Sequence, residues 1–94
     1  MIEDYIPIGK DNAVTRATLA AISGKRDREM REAIANARKR GIIICNDQDG
    51  KGYYRPASIE DIARQYRQNR NRAMDILVQQ KWLRRALKGA GEDV

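Results

Sequence analysis

Residues 14–34 read VTRATLAAISGKRDREMREAI, and this stretch predicts two consecutive helices. In its first part, apolar residues recur with the three- and four-residue spacing of a single helix face. Asn12 or Asp11 is placed to cap the first turn, because a short side-chain oxygen accepts a hydrogen bond from a free backbone N–H. Gly24 follows where a left-handed residue commonly ends a helix. The pattern therefore predicts a short helix over residues 13–23.

A second periodic run begins at Asp27 and predicts a helix over residues 27–40. Its apolar residues form a narrow inward stripe, namely Met30, Ala33, Ile34 and Ala37. Acidic residues lie near the start of this run and basic residues close its last turn, which complements the helix dipole at both ends. Gly41 ends the run. Two helices joined by a short turn that contains glycine form a helix-turn-helix.

The segment after the second helix predicts a β-hairpin over residues 42–56. Ile42–Cys45 is rich in β-branched residues and Tyr53–Arg55 is also strand-like, with turn-forming residues between them. The tip of about five to seven residues is longer than a two-residue turn. Because side chains alternate along a strand, we expect Tyr54 to turn inward. We expect Cys45 to be a small buried strand residue.

A third short apolar piece, Tyr5–Ile8, lies near the start of the chain. Its Pro7 has no backbone N–H to donate, so the piece is confined to an edge position or to the start of a strand. We expect it to pair beside the hairpin and to complete a small sheet.

No Gly or Pro interrupts the chain between Ser58 and Leu87, and this segment predicts a long C-terminal helix with Ser58 as its cap. Its apolar stripe comprises Ile62, Tyr66, Ala73, Leu77, Leu83 and Leu87. Residues 67–72 contain no apolar side chain, so either one helix of about 30 residues projects from the body or two helices meet near Asn69–Asn71. The gap favours the divided form. We divide the chain into a core (1–57), a helical extension (58–88) and a flexible tail (89–94).

Charge is concentrated in two parts of the chain. The sequence has 19 basic and 13 acidic residues and a net charge of +6. Residues 15–40 and residues 58–88 each hold eight basic and three acidic residues, while the hairpin between them is neutral. Two basic blocks favour a polyanionic partner, nucleic acid first, although solvated helix faces would also explain them. A membrane surface fits poorly, because the basic helices lack a broad aromatic and leucine face.

Other function classes find little support in the composition. The chain has no histidine, one cysteine, no phosphate-binding glycine loop and no nucleophile elbow, so we expect no enzymatic activity and no small-molecule substrate. A zinc site is close to excluded, because Cys and His supply nearly all ligands of structural zinc, and no cofactor is expected. The first ten residues lack an apolar signal region and a lone cysteine fits a reducing compartment, which predicts a cytoplasmic protein.

The run TRxxLAxxSG, followed by DRxxRxAI and a later GYY, resembles the winged helix-turn-helix domains of small bacterial and phage proteins. The resemblance covers residues 5–56. It implies an α+β fold, mainly α, with a small antiparallel hairpin or sheet and a trailing helix. It also implies sequence-preferring binding of double-stranded DNA in replication or transcription control, within a bacterial or phage-infected cell. The alternative is a protein-interaction module, such as an adaptor or antirepressor, that uses this fold without DNA.

Under this resemblance the helix 27–40 enters the major groove and the hairpin 42–56 is an accessory wing. Arg28 and Arg31 are the candidates for guanine contacts; Glu32 either accepts from cytosine or pairs with Arg28. The further candidates contact phosphates at the turn, at the helix end and from the wing: Arg16, Lys25, Arg26, Arg38, Lys51, Tyr53 and Arg55. Arg38 would alternatively neutralise the end of the helix.

Two further expectations concern the wing tip and the trailing helix. Asp47 and Asp49 at the tip would repel phosphate beside Lys51, which would attract it. The C-terminal helix either dimerises the protein or docks a partner protein, and its basic belt would extend a phosphate-binding surface: Arg64, Arg67, Arg70 and Arg72. Since the usual first helix of such domains is missing, we expect the C-terminal helix to cover the face it would occupy.

Overall fold

Two helices separated by a left-handed glycine lie at the centre of the fold. In this computed structural model, which describes residues 1–47 and 50–94, α1 spans Arg16–Ser23 and α2 spans Asp27–Lys39. Gly24 has a φ of 72°, which confirms the predicted end of the first helix. The predicted cap is wrong. The hydroxyl of Thr15 accepts from the Thr18 N–H at 3.1 Å, and the Asn12 amide instead donates to the carbonyl of Ile8.

The inward stripe of α2 is confirmed. Met30, Ile34 and Ala37 are buried and Ala33 is partly buried against the same core. Their partners come from α1, from the segment before the hairpin and from the N-terminal residues: Leu19, Ile44, Ile2 and Ile6. This core holds α1 and α2 in fixed orientation and leaves the opposite face of α2 outside.

The β-hairpin pairs two short strands, β1 (Cys45–Asn46) and β2 (Tyr53–Tyr54), in antiparallel register. Tyr54 and Cys45 are buried, as predicted. The first strand begins three residues later than the expected start at Ile42. The reason is that the Ile42 N–H bonds to the end of α2, and Arg38 donates to the Ile44 carbonyl through Nε at 3.1 Å and Nη2 at 2.8 Å.

The N-terminal residues form a short 3₁₀ helix, Ile2–Tyr5, rather than a strand beginning at Tyr5. The predicted pairing of Tyr5–Ile8 beside the hairpin is reduced to an isolated parallel bridge between Ile8 and Arg55. There the Arg55 N–H donates to the Pro7 carbonyl at 2.7 Å. Proline has no backbone N–H, so it contributes to this pairing only as an acceptor. The 3₁₀ helix packs against both α1 and α2, whereas the main contacts of the C-terminal helix are with the first strand of the hairpin.

The C-terminal segment forms one unbroken helix, α3, from Ile59 to Gly89, so the predicted break near Asn69–Asn71 is wrong. Ser58 caps it as predicted, with its hydroxyl accepting from the Asp61 N–H. The body holds α3 through a polar face, where Asp61 and Gln65 are buried, and not through the apolar stripe. The absence of apolar side chains from residues 67–72 therefore does not weaken the packing of α3 on the body.

α3 projects beyond the body, which makes the molecule elongated. The principal extents are 50 × 31 × 24 Å and the radius of gyration is 17.0 Å, against roughly 12 Å for a compact chain of this length. Every residue from Asn69 to Gly89 is exposed. No helix in the described part of the chain is long and apolar enough to cross a membrane.

Candidate nucleic-acid interface

The outer face of α2 carries the two arginines that the sequence predicts to contact bases. The side chains of Arg28 and Arg31 are 90% and 64% exposed. Arg28 Nε lies 3.4 Å from Glu32 Oε1, one helical turn away, so the structure shows the predicted intrahelical pair. Arg31 Nη2 lies 3.1 Å from Asp27 Oδ2. Both guanidinium groups reach solvent, and each has one carboxylate beside it.

Asp27 also joins α2 to the first turn of α1. Arg16 Nε donates to Asp27 Oδ1, while Arg31 contacts the other carboxylate oxygen. The hydrogen bond from Arg16 is the main cause that lowers the pKa of Asp27. Conversely, the bond to Asp27 and then the neighbouring Tyr53 hydroxyl raise the pKa of Arg16. The two arginines, eleven and four residues from Asp27, are thus held on one side of the molecule.

The turn between the helices presents Lys25 and Arg26, both exposed. Arg26 Nε lies 4.0 Å from Glu29 Oε1, at the limit of an ion pair, and its side chain is 91% exposed. The Arg26 N–H also donates to Glu29 at 3.4 Å. Lys25 borders a shallow groove beside Asn36 and Arg40. Both cations therefore lie at the solvent-exposed edge of the turn.

The hairpin is fastened to the start of α1 through Tyr53. The Val14 N–H donates to the Tyr53 carbonyl at 2.9 Å, and the Tyr53 N–H donates back at 2.7 Å. A cleft beside this contact is lined by Arg16 and Tyr53 together with Asn46. Lys51, near the tip, is exposed. The structure thus brings Tyr53 and Arg16 together, and it places the hairpin next to the helix-turn-helix.

Arg55 is half-buried and lies elsewhere on the hairpin. It borders a separate depression with Ile8, Ile42 and Ile43, near the end of α2. Its backbone pairs with the N-terminal segment, where it accepts from the Gly9 N–H at 2.8 Å. Arg55 is therefore not part of the group that Arg16, Arg31 and Tyr53 form.

The guanidinium of Arg38 bridges the end of α2 and the hairpin, although the residue as a whole is exposed. Besides donating to the Ile44 carbonyl, its Nη2 donates to Asn46 Oδ1 at 2.9 Å, and its guanidinium lies 5.8 Å from the centre of the Tyr53 ring. Burial lowers the pKa of Arg38. Its side chain fastens the end of α2 to the hairpin, a role that neither predicted alternative describes.

Asp47, predicted to repel phosphate at the wing tip, is turned into the body, while Asp49 lies outside the described residues. Lys10 Nζ lies 2.8 Å from Asp47 Oδ2, and the Tyr54 hydroxyl donates to Oδ1 at 2.8 Å. Burial alone would raise the pKa of Asp47, but these two contacts outweigh it and lower the pKa. The charge of Asp47 is therefore compensated within the protein.

The basic belt of α3 divides into a structural part and an exposed part. Arg64 contacts Asp61, Asp47 and Tyr54, so it belongs to the packing of α3 on the hairpin. In the described part of the chain, no ion pair involves the remaining belt residues: Arg67, Arg70 and Arg72.

A second group of basic residues on α3 was not among the site residues predicted from the sequence. It consists of Lys81, Arg84, Arg85 and Lys88, which border a groove with Leu77. Arg85 lies over the Trp82 ring, 5.1 Å from its centre. The signal was present in the sequence, because spacings of three, four and seven residues put these cations on one side of a helix.

The comparisons with known proteins return no relative. No protein-family model matches the chain, and neither the curated proteins nor the solved structures contain a significant match. Within residues 1–47 and 50–94, no group of three or more His, Cys, Asp or Glu side chains is placed to hold a metal ion. The geometry of these residues is therefore the basis for the function proposed below.

Proposed function

We propose that this chain is a winged-helix protein that binds double-stranded DNA through the outer face of α2. The observation that carries the proposal is the exposure of Arg28 and Arg31 on a helix whose opposite face is buried. A helix held in this way is a suitable width for the major groove, and residues near its start reach base edges. The hairpin, fastened to the start of α1, takes the place of the wing.

Arg31 and Arg28 would read guanine, since the guanidinium fork matches O6 and N7. The pairs that these arginines make with Asp27 and Glu32 are exposed to solvent, so exchanging them for a base edge costs little. Asp27 would then act as a positioning residue, because it limits the orientations of the Arg31 side chain. Arg16 is held close to the same carboxylate and would contact a neighbouring phosphate.

The exposed arginines of α3 would supply the sequence-independent part of the affinity. Arg67, Arg70 and Arg72 form no ion pair among the described residues and follow the helix away from the hairpin. Contacts to phosphates orient a protein on DNA but do not discriminate between bases. With Arg16, Lys25 and Arg26 at the other end, about six cations are available for the backbone.

The test is a selection of bound sequences from a random DNA pool, performed with the wild-type chain and with single variants. Arg28→Ala and Arg31→Ala should each lose a guanine preference at one position, and binding to the selected site should weaken roughly 5- to 150-fold. Lys25→Ala should weaken all sequences alike. Lys39→Ala removes the same charge at the other end of α2 and is the matched control. An unchanged sequence preference in both arginine variants would contradict the proposal.

One observation favours a second function, that of a protein-interaction module. Each arginine near the start of α2 has a carboxylate beside it, which lowers the attraction of this surface for phosphate. An adaptor or antirepressor would use such a surface of mixed charge. A gel-shift assay against random duplex at low salt distinguishes the two functions, because an adaptor gives no shift at micromolar protein.

A further inference from the structure

An apolar seam runs along the whole of α3 and is covered by nothing in the described part of the chain. Its positions alternate by three and four residues: Ile59, Ile62, Tyr66, Asn69, Ala73, Ile76, Gln80, Leu83 and Leu87. The large apolar side chains of this seam are all exposed, including those beside the body. The body contacts a different face, through Asp61 and Gln65. The seam is therefore continuous for about 42 Å at 1.5 Å per residue.

We propose that the seam pairs with the same seam of a second copy, and that the two helices run antiparallel. The spacing is that of a coiled coil, in which every third and fourth residue faces the partner helix. One register sets three pairs of apolar residues against each other, namely Ile62 against Leu87, Tyr66 against Leu83 and Ala73 against Ile76, and leaves Ile59 beyond the paired length. The same register places Asn69 opposite Gln80. The two polar seam positions then hydrogen-bond to each other and do not face apolar residues.

Packing and charge favour this direction over a parallel pair. In a parallel pair Ala73 would face Ala73, which leaves a gap, whereas the antiparallel pair sets each alanine against an isoleucine. A parallel pair would also bring two copies of the basic group 81–88 together at one end. Like charges in close contact are unfavourable, and the antiparallel pair places the two groups at opposite ends.

The residues that flank the seam are compatible with the same register. Arg70 lies opposite Leu77 of the second copy, Arg72 opposite Gln79, and Arg84 opposite Ala63. No cation therefore meets a cation across the pair at the nearest flanking positions. The stems of these arginines would cover part of the seam while their charged ends remain in water.

The length of the seam can be compared with the size of known dimer interfaces. Specific interfaces bury about 800 Å² per partner with about 20–30 residues on each side, and the seam with its flanking positions approaches that size. The two bodies, held near residues 61–68, would lie about 30 Å apart along the helix axis. That distance is on the order of one turn of DNA, about 34 Å. Self-association stands apart from the proposed function, because a monomer can still bind DNA.

The first experiment measures mass by sedimentation equilibrium at micromolar concentration. The wild-type chain should have twice its monomer mass of 10.7 kDa. Leu83→Asp, in the seam, should shift the chain to monomer. Val78→Asp is the matched control, because both side chains are 58% exposed but Val78 lies on the other side of α3. A monomeric wild type, or equal loss of dimer in both variants, would overturn the proposal.

The second experiment determines the direction by disulfide formation. Tyr66→Cys and Leu83→Cys are prepared separately, and the buried Cys45 does not compete. In the antiparallel register neither variant forms a disulfide dimer alone, and mixing them under mild oxidation gives the mixed dimer. Formation of dimers by each variant alone, with no mixed product, would overturn the antiparallel direction. Circular dichroism checks that both variants retain the helical content of the wild type.

Discussion

Gly52 lies against the backbone of Val14 and Thr15, just before α1, and Gly52→Ala should destabilise the protein strongly. Its φ is +106°, and a Cβ at this position would lie 2.0 Å from the Val14 carbonyl oxygen and 2.7 Å from the Thr15 nitrogen. Ordinary contacts are 3.4–4 Å, so the hairpin would have to retreat by more than an ångström. That movement breaks the two backbone hydrogen bonds between Val14 and Tyr53.

The cost can be divided into two parts. A positive φ in a residue other than glycine costs about 1–2 kcal/mol, and two lost hydrogen bonds cost about 1 kcal/mol each. We therefore expect Gly52→Ala to lower the free energy of unfolding by about 3–4 kcal/mol. Gly50→Ala is the matched control, because Gly50 has a φ of +77° and nothing within 4 Å of its added Cβ. Gly50→Ala should therefore lower the free energy of unfolding by only about 1–2 kcal/mol, which is the cost of a positive φ.

Thermal unfolding followed by circular dichroism measures the difference. For a domain of this size, 1 kcal/mol corresponds to about 4–8 °C, so the Tm of Gly52→Ala should lie at least about 8 °C below that of Gly50→Ala. Equal Tm values for the two variants would refute the close approach of the hairpin to α1. The hairpin would then not be held beside the α2 face, and the wing would have to be assigned elsewhere.

Three further predictions concern the packing of α3, acid stability and the thiol. Gln65→Ala removes the side-chain oxygen that accepts from the Asn46 N–H at 2.8 Å, so chemical denaturation should show that the free energy of unfolding falls by about 1–2 kcal/mol. Gln79→Ala, on the exposed part of α3, is the control and should change the free energy of unfolding by less than about 0.5 kcal/mol. The pKa of Asp47 is lowered in the folded protein, so its contribution to stability is complete above the unfolded pKa of about 4 and is lost as pH falls through the folded pKa. Asp47→Asn should therefore reduce the loss of unfolding free energy on acidification. An unchanged dependence on pH would contradict the ion pair of Asp47. Burial raises the pKa of the Cys45 thiol, so a thiol reagent at pH 8 should react at least about a hundredfold more slowly with native than with denatured protein, and comparable rates would contradict its burial.

Features that depend on neighbouring residues in the chain were predictable. The left-handed Gly24, the buried stripe of α2 and the inward Tyr54 each follow from spacing or alternation within a short window. The pair between Arg28 and Glu32 follows in the same way, because residues four apart on a helix are neighbours.

Features that depend on contacts between distant segments were not predictable. Arg38 reaches the Ile44 carbonyl only because α2 ends beside the hairpin, and Asp47 meets Lys10 across nearly forty residues. The predicted break in α3 shows the same limit. The apolar gap was interpreted as missing support, whereas the contact with the body is made by Asp61 and Gln65, two polar residues that a search for apolar stripes ignores.

If the chain binds DNA through its basic surface, the affinity must depend strongly on salt concentration. The association constant for a random duplex should be measured by fluorescence anisotropy at salt concentrations from about 50 to about 200 mM. If about six cations contact phosphates, the logarithm of the association constant should fall with log salt at a slope near −5. A slope near zero, or no binding at the lowest salt concentration, would contradict the binding of DNA through this surface.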